Sequence, residues 1–385
     1  MRNKKYGFYE FFAGGGMARI GLGARWQCLF ANDNSQKKSN SYVRNFPSSS
    51  EFVCQDIAVL GLEHLPGKPA LSWASFPCQD LSLAGERNGL NANRSGTFWP
   101  FWNLMMEMGK KNRPVPIIVV ENVVGAITSN QGKDFQALIE SIVKEGYKVG
   151  PLVMDAVHFV PQSRPRLFLI AFKHSMNPPP HLMRDKPDDA WHPRSLQRSF
   201  RRLPTAMQDQ WIWWNIPSPP ERETVLSDIL ERNPPDVEWH SPPETQRLLD
   251  MMSERNREKV LAAQSQGTKM IGAMYRRTRR DKNGMNIQRA EVRFDQISGC
   301  LRTPAGGSSR QILLFVEGRR VRSRLLSSRE AARLMGVPES YTLPDNYNEA
   351  YHLVGDGVVV PVVSWIEKKI IYPIVRKNRS LLEGS

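Results

Sequence analysis

Phe76-Pro77-Cys78-Gln79 sets a cysteine directly after a proline, just past the apolar segment Ala70–Ser75. Strand-to-loop exits of this kind are where open α/β sheets carry their chemistry. A thiol is also the side chain most readily made nucleophilic at neutral pH. Read alone, Cys78 is more readily a buried structural thiol, the ordinary state of a free cysteine, and it is the rest of the chain that reverses this. Pro116-Ile117-Ile118-Val119-Val120-Glu121-Asn122-Val123 delivers a carboxylate at the end of an apolar run. Burial disfavours the charged form, so such a glutamate can serve as an acid near neutrality; a salt-bridged glutamate at a sheet edge is the alternative. Gln162-Ser163-Arg164-Pro165-Arg166 holds two arginines two residues apart. An extended backbone projects both to one side, where they suit bidentate bonds to a phosphate or carbonyl. A solvated basic turn would look the same.

Three further stretches could bind a ligand. In Glu10-Phe11-Phe12-Ala13-Gly14-Gly15-Gly16-Met17 an apolar strand runs into a glycine cluster and then a helix. Glycines allow close backbone approach, and a helix N-terminus offers free N–H groups to a nucleotide-like cofactor. The pattern is neither a clean GxGxxG nor a lysine-bearing phosphate loop, and a tight turn needs glycine too. Asn32-Asp33 follows roughly 20 residues later, where a carboxylate can accept from both ribose hydroxyls; it reads equally as a surface turn. Asp56-Ile57 repeats the theme, with an acid and an apolar contact for an adenine ring. Cys300-Leu301-Arg302-Thr303-Pro304-Ala305-Gly306-Gly307-Ser308-Ser309-Arg310-Gln311 is polar, glycine-rich and basic, as a loop touching a phosphate backbone would be.

The elements that must position these residues alternate. Strands are expected at Tyr6–Phe12, Gln27–Ala31, Ala70–Ser75, Val115–Glu121 and Leu167–Phe172, and helices at Met17–Arg25, Phe98–Lys110 and Lys133–Glu145. Such alternation predicts a mostly parallel sheet covered by helices. The character changes near Met176. Pro178-Pro179-Pro180 opens a weakly periodic stretch with Trp211, Trp213, Trp214 and Trp239 and two basic clusters, Arg276-Arg277-Thr278-Arg279-Arg280 and Arg319–Arg324. Order returns with a capping box, Ser327 and Glu330, ahead of a helix Ser328–Met335; Val358–Ile371 reads as a helix after a turn. The expected division is 1–175 plus 327–385 as one domain and 176–326 as a second, smaller, irregular or β-rich one.

The chain has 385 residues and a formal net charge of +15. That length suits two structural units. That charge points to a polyanion partner, nucleic acid above all, or to a generally basic solvated surface. Cys28, Cys54, Cys78 and Cys300 form no CxxC pair and no zinc spacing, so neither a metal site nor a disulfide framework is expected. The apolar stretch after Met1-Arg2-Asn3-Lys4-Lys5 is broken by Glu10 and the glycines, and fails as a signal peptide. No apolar run is long enough to cross a bilayer. A soluble, cytoplasmic protein is expected.

The order of these motifs, from the glycine cluster through Asp33, Asp56, Phe-Pro-Cys-Gln, Glu-Asn-Val, Gln-x-Arg-x-Arg and Arg-Thr-Pro-x-Gly-Gly-Ser-Ser to Gly355-Asp356-Gly357-Val358-Val359, resembles the cytosine-5 DNA methyltransferases, in particular the bacterial enzymes of restriction–modification systems. The resemblance covers residues 7–175 and 296–371. It implies a Rossmann-like methyltransferase fold, S-adenosyl-L-methionine as cofactor, and a target-recognition domain in the unmatched insert. Cys78 would attack cytosine C6, and Glu121 would bind and protonate N3. Arg164 and Arg166 would position the flipped base and the cysteine region. Phe12, Ala13, Gly14, Gly15, Gly16, Asp33, Asp56 and Ile57 would line the cofactor site. Leu81–Gly96 would be a loop that closes on DNA. Gln79, Ser82, Arg302, Thr303, Arg276, Arg277, Arg279 and Arg280 would contact the nucleic acid. Gly355-Asp356 departs from the family's usual Gly-Asn. The implied partner is double-stranded DNA bound by a monomer, with any restriction endonuclease linked genetically and not physically. A tRNA methyltransferase of the same chemistry and a catalytically silent DNA-binding relative are the rival readings. A nicotinamide-dependent oxidoreductase would leave Phe-Pro-Cys-Gln and the basic insert unexplained.

Overall fold

The computed structural model describes residues 5–47, 50–76, 96–219, 221–280, 284–302 and 310–383. Cys78, Gln79, Ser82 and Thr303 lie outside the described residues, as does most of the Leu81–Gly96 segment. Two compact units divide the chain. The first is Met1–Met154, Pro165–Pro219 and Val362–Ser385; the second is Asp155–Arg164 with Pro220–Pro361. These cuts do not follow the compositional boundaries at 176 and 327.

In the first unit, seven strands form one sheet in the order β3-β2-β1-β4-β5-β7-β6. They are β1 (Tyr6–Phe11), β2 (Trp26–Asp33), β3 (Phe52–Cys54), β4 (Leu71–Ala74), β5 (Ile117–Val123), β6 (Tyr147–Asp155) and β7 (Pro165–Lys173). The pairs β1–β2, β1–β4, β2–β3 and β4–β5 are parallel, and β5–β7 is antiparallel. The expected mostly parallel sheet is present. Helices α1 (Met17–Leu22), α2 (Gln36–Asn45), α3 (Phe98–Lys110) and α4 (Lys133–Lys144) follow their strands. In α3 the apolar positions Phe98, Phe101, Trp102 and Met105 recur at helical spacing. They enter a core with Phe11, Phe30, Ile118, Leu138 and Leu169. Trp211 and Trp213 lie in this same core and Trp214 is fully buried, so these three tryptophans of the insert serve the first unit, whereas Trp239 lies in the second, exposed, with its ring 4.9 Å from that of Phe315. A two-stranded pair, β8 (Met183–Arg184) and β9 (Trp213–Trp214), completes it.

In the second unit, β10 (Met270–Arg280), β11 (Asn286–Arg293), β12 (Ile312–Glu317) and β13 (Arg320–Leu325) form an antiparallel sheet in the order β11-β10-β12-β13. One face packs Met274, Ala290, Val292, Ile312 and Leu314 against Leu248, Val260 and Ala263 of the helices Pro242–Asp250 and Glu254–Ser265. The capping box forms as expected. Ser327 Oγ accepts from the Glu330 N–H at 3.1 Å, and Glu330 Oε2 accepts from the Ser327 N–H at 2.8 Å. Among the described residues no helix is long and apolar enough to cross a membrane.

Candidate active site

Successive strand exits in the first unit gather the ligand-binding candidates. After β1 the chain turns through Phe12, Gly14 and Gly16, all at positive φ (57°, 55° and 78°). A side chain at Gly16 would also meet the Phe46 ring at 2.4 Å, so this position needs glycine twice over. The Gly14 N–H donates to Asp33 Oδ2 at 3.0 Å, and Asp33 Oδ1 accepts from the Ser35 N–H at 3.0 Å. Asn32 Nδ2 donates to the carbonyls of Val53 (3.0 Å) and Gln55 (2.8 Å), which joins β2 to the exit of β3. There Asp56 Oδ1 accepts from the Ala58 N–H at 2.8 Å, and Ile57 is buried. Phe12–Gly16, Asp33 and Asp56-Ile57 therefore sit at the exits of three neighbouring parallel strands.

One expectation is corrected here. Two N–H groups in the first turn of α1, those of Ala18 and Arg19, do not wait for a ligand, because the Glu10 carboxylate takes them. Glu10 Oε1 accepts from the Arg19 N–H at 3.2 Å, and the Ala18 N–H also bonds this carboxylate. Glu10 is 1% exposed, and its Oε2 has no hydrogen-bond partner among the described residues. Burial pushes its carboxyl up to about 8, against the opposing pull of Arg19. The signal in the sequence was a carboxylate set inside an otherwise apolar strand.

Glu121 lies near the end of β5, an interior strand between β4 and β7, and is buried. It is ion-paired to Arg166 on β7, with Nε 3.2 Å from Oε1. The antiparallel register that places Val123 opposite Arg166 brings the two together. Beside it, Asn122 Nδ2 donates to the Phe76 carbonyl at 3.2 Å. The Glu-Asn exit is thus tied to the residue two positions before Cys78.

Arg164 and Arg166 do not act as a pair, contrary to the extended-backbone expectation. β7 begins at Pro165, so Arg164 lies outside the strand. In the second unit Arg164 is buried. Its Nη1 donates to the Leu301 carbonyl (2.9 Å) and lies 3.2 Å from Cys300 Sγ, and its Nη2 donates to the carbonyls of Gly355 (2.8 Å) and Gly357 (2.9 Å). Gln162, wholly buried, accepts from the Leu301 N–H at 3.0 Å and donates to the Leu334 carbonyl at 2.8 Å. Both side chains fix the backbone just ahead of the exposed Arg302. Asp356 ends the helix Tyr347–Asp356, exposed. Arg276, Arg277, Arg279 and Arg280 all lie on β10. The pleat sends Arg276 and Arg280 to one face and Arg277 and Arg279 to the other.

By fold, the chain is similar to solved methyltransferases. A mutant of Spodoptera frugiperda DNMT2 superposes with a TM-score of 0.62 at 16% identity, over 94% of this chain and 99% of that one. The Entamoeba histolytica methyltransferase EhMeth gives 0.61 at 14% identity, over 97% and 99%. The family model for C-5 cytosine-specific DNA methylase matches residues 6–372, nearly the whole chain, and the protein belongs to that family. Relatives in sequence include Type II methyltransferase M.MspI of Moraxella sp (25% identical, over 97% of this chain and 72% of the relative) and Type II methyltransferase M.NlaX of Neisseria lactamica (26%, over 94% and 95%). The chain is an enzyme of DNA cytosine-5 methylation.

Proposed function

We propose that this protein is the modification methyltransferase of a restriction–modification system, acting in the cytoplasm on one cytosine of a defined duplex site. The observation that carries the chemistry is the hydrogen bond from Asn122 to the Phe76 carbonyl. It ties the Glu121–Arg166 end of β5 to Phe76, just past the end of the neighbouring strand β4, which supports the reading of Cys78, two residues on, as its partner in catalysis. A stacked cytosine cannot reach a buried carboxylate, so the base must leave the helix. The Cys78 thiolate then adds to C6, which makes C5 a carbon nucleophile. Glu121, held in place by Arg166, donates to N3 and offsets the charge that develops on the ring. C5 takes up the methyl group, whose carrier would leave as the neutral thioether. Loss of the C5 proton to solvent base, expulsion of the thiolate and return of the N3 proton to Glu121 then restore the aromatic base, the free cysteine and the acid.

The cofactor site fits S-adenosyl-L-methionine. Each Asp33 oxygen accepts one backbone N–H and keeps a second lone pair for a ribose hydroxyl. A side chain at Gly14 would meet nothing within 4 Å, so the turn borders open space. Ile57 and Phe12 offer apolar contact to a purine. Bound there, the cofactor supplies an electrophilic methyl group on a sulfonium.

The test is transfer of labelled methyl groups to duplex DNA and to tRNA, followed by bisulfite sequencing of DNA from cells expressing the protein. Methylated cytosine in one DNA motif is expected. DNA carrying 5-fluorocytosine in that motif should trap a covalent adduct with the wild type and not with Cys78→Ser. Label in tRNA alone, or methylation by Cys78→Ser at the wild-type rate, would overturn the proposal.

A further inference from the structure

Arg194-Ser195-Leu196-Gln197-Arg198-Ser199-Phe200-Arg201-Arg202 forms a helix in the first unit that carries four arginines and no carboxylate. At about 100° per residue, Arg194, Arg198, Arg201 and Arg202 fall within an arc of about 100°. All four are exposed. Leu196, Phe200 and the following Leu203 fall on the opposite side and pack into the core of the first unit. The Phe200 ring lies 5.3 Å from that of Trp211 and 5.0 Å from that of Trp213. The helix is held by its apolar side, and the arginines do not hold it.

The arginines lack a counter-charge. Among the described residues none of the four makes an ion pair, and Arg198 Nε donates only to the Arg194 carbonyl, at 3.4 Å. The two carboxylates just ahead of the helix are engaged otherwise: Asp188 pairs with Arg184, and Asp189 accepts from Gln197 Nε2 at 2.7 Å. Arg198 lies four residues from both Arg194 and Arg202 and three from Arg201, spacings at which like charges repel. Arg194 also stands in the first helical turn, where the helix dipole disfavours a cation. A merely solvated face relieves such repulsion by mixing signs, as the helix Glu254–Ser265 does with Glu254, Arg255, Arg257, Glu258 and Lys259. An unmixed arginine face fits a polyanion, and the guanidinium fork matches phosphate oxygens.

The helix also lies close to the chemistry. Ser199 Oγ donates to the Ile127 carbonyl at 3.5 Å. Ile127 closes the turn Val124–Ile127, which follows directly on β5 and its Glu121. From Arg194 to Arg202 the helix rises about 12 Å, an axial length over which one strand of a duplex carries about three phosphates.

We infer that Arg194, Arg198, Arg201 and Arg202 grip the phosphate backbone of the DNA duplex near the reacting base. This contact belongs to the first unit itself and carries no sequence information. The inference rests on duplex DNA being the substrate, as proposed above.

The test measures binding of the full chain to duplex DNA, with and without the methylated motif, over a range of salt. Replacing all four arginines by Gln should weaken binding to both duplexes about 10-fold or more, and should make the salt dependence shallower by about one unit for each phosphate released. Replacing all four by Lys keeps the charge and should keep the slope. Cofactor affinity and the methylated motif should not change in either variant. A measurement on the unaltered protein makes the result independent of variant folding: duplex DNA should protect these arginines from phenylglyoxal, read by mass spectrometry, and the cofactor alone should not. With a wild type that methylates duplex DNA, equal modification with and without DNA, or a wild-type salt slope in the Gln variant, overturns this inference alone. Loss of tRNA binding with duplex binding intact would assign the face to RNA and overturn it too. A wild type that methylates no DNA removes the proposed function and this inference with it.

Discussion

The two sheets present their polar groups in opposite ways. In the seven-stranded sheet the candidate functional groups sit just past strand ends, where parallel strands bring Gly14, Asp33 and Asp56 to adjacent exits and the β5–β7 pair joins Glu121 to Arg166. In the four-stranded sheet they lie along β10 in the antiparallel ribbon it forms with β11, alternating from one face to the other. Of the strand-end groups, Asp33 and Glu121 are buried with fixed partners, so displacing either disturbs an exact spatial arrangement in a low-dielectric setting, while Asp56 is exposed. Ribbon groups are exposed, and the interactions among them are screened by solvent. Substitutions at strand ends should therefore change rate or stability by large factors, and those on the ribbon should change selectivity with little effect on stability.

The largest effect tests a residue that belongs to neither pattern. Arg164 satisfies three buried carbonyls in the second unit. Arg164→Met should cost about 3 kcal/mol or more, since each of the three carbonyls left without a donor costs ~1–3 kcal/mol. Chemical denaturation would measure it; a loss below 1 kcal/mol would show that the carbonyls find other partners. Glu121→Gln comes next and should lower turnover about 10²-fold or more with cofactor affinity little changed. Arg166→Gln should lower turnover through the same group, so the double variant should be no worse than the more damaging single one. Additive losses would mean that Arg166 does not act through Glu121.

Glu10 gives the strand-end pattern a pH signature. Its carboxyl titrates near 8 in the folded chain, raised by burial from the ordinary 4.5. Between those values the folded state holds a proton that the unfolded state has released, so stability falls as pH rises. His192 works in the other direction. Burial lowers its imidazole to about 4 from 6.5, so that its contribution is lost on acidification below 6.5 and is constant above it. The window from pH 6.5 to 8 thus isolates Glu10. There the wild type without cofactor should lose about 2 kcal/mol, from ~1.4 kcal/mol per pH unit, and Glu10→Gln should remove most of that slope. Equal slopes in the two proteins would place the proton elsewhere.

The same contrast explains what the sequence could reveal. Strand ends announce themselves because the motif is contiguous with the apolar run before it. β1, β2, β4, β5 and β7 were legible for that reason, as were Asp33 and Glu121. β6 was not, since Gly150-Pro151 in its middle reads as a turn; it lies at the sheet edge, where proline is tolerated. β3 has only three residues, and α2 (QKKSNSYVRN) buries only Ser39, Ser41 and Tyr42. β10 hides its alternation because its outer half alternates one arginine with another. Trp211, Trp213 and Trp214 looked like part of a second domain on composition, yet their burial ties them to the first unit. The roles of Gln162 and Arg164 depend on partners more than 130 residues away, which no local pattern encodes.

The smallest predicted effect tests the ribbon most closely. The Arg279–Glu291 pair looks strong by distance, at 2.5 Å, but the Arg279 side chain is half-exposed. Exposed ion pairs contribute about 0.2–1 kcal/mol, because solvent screens the attraction and ordering two long side chains costs entropy. Arg279→Gln should therefore lower stability by no more than about 1 kcal/mol, and less in high salt. If the pair only braces the ribbon, Glu291→Gln should produce the same small loss, and the double variant should add little to either. The salt dependence of DNA binding separates bracing from contact. An arginine that touches a phosphate takes about one unit of slope with it when removed. Arg279→Gln should leave the slope unchanged. A slope shallower by one unit would mean that Arg279 abandons Glu291 for the DNA backbone.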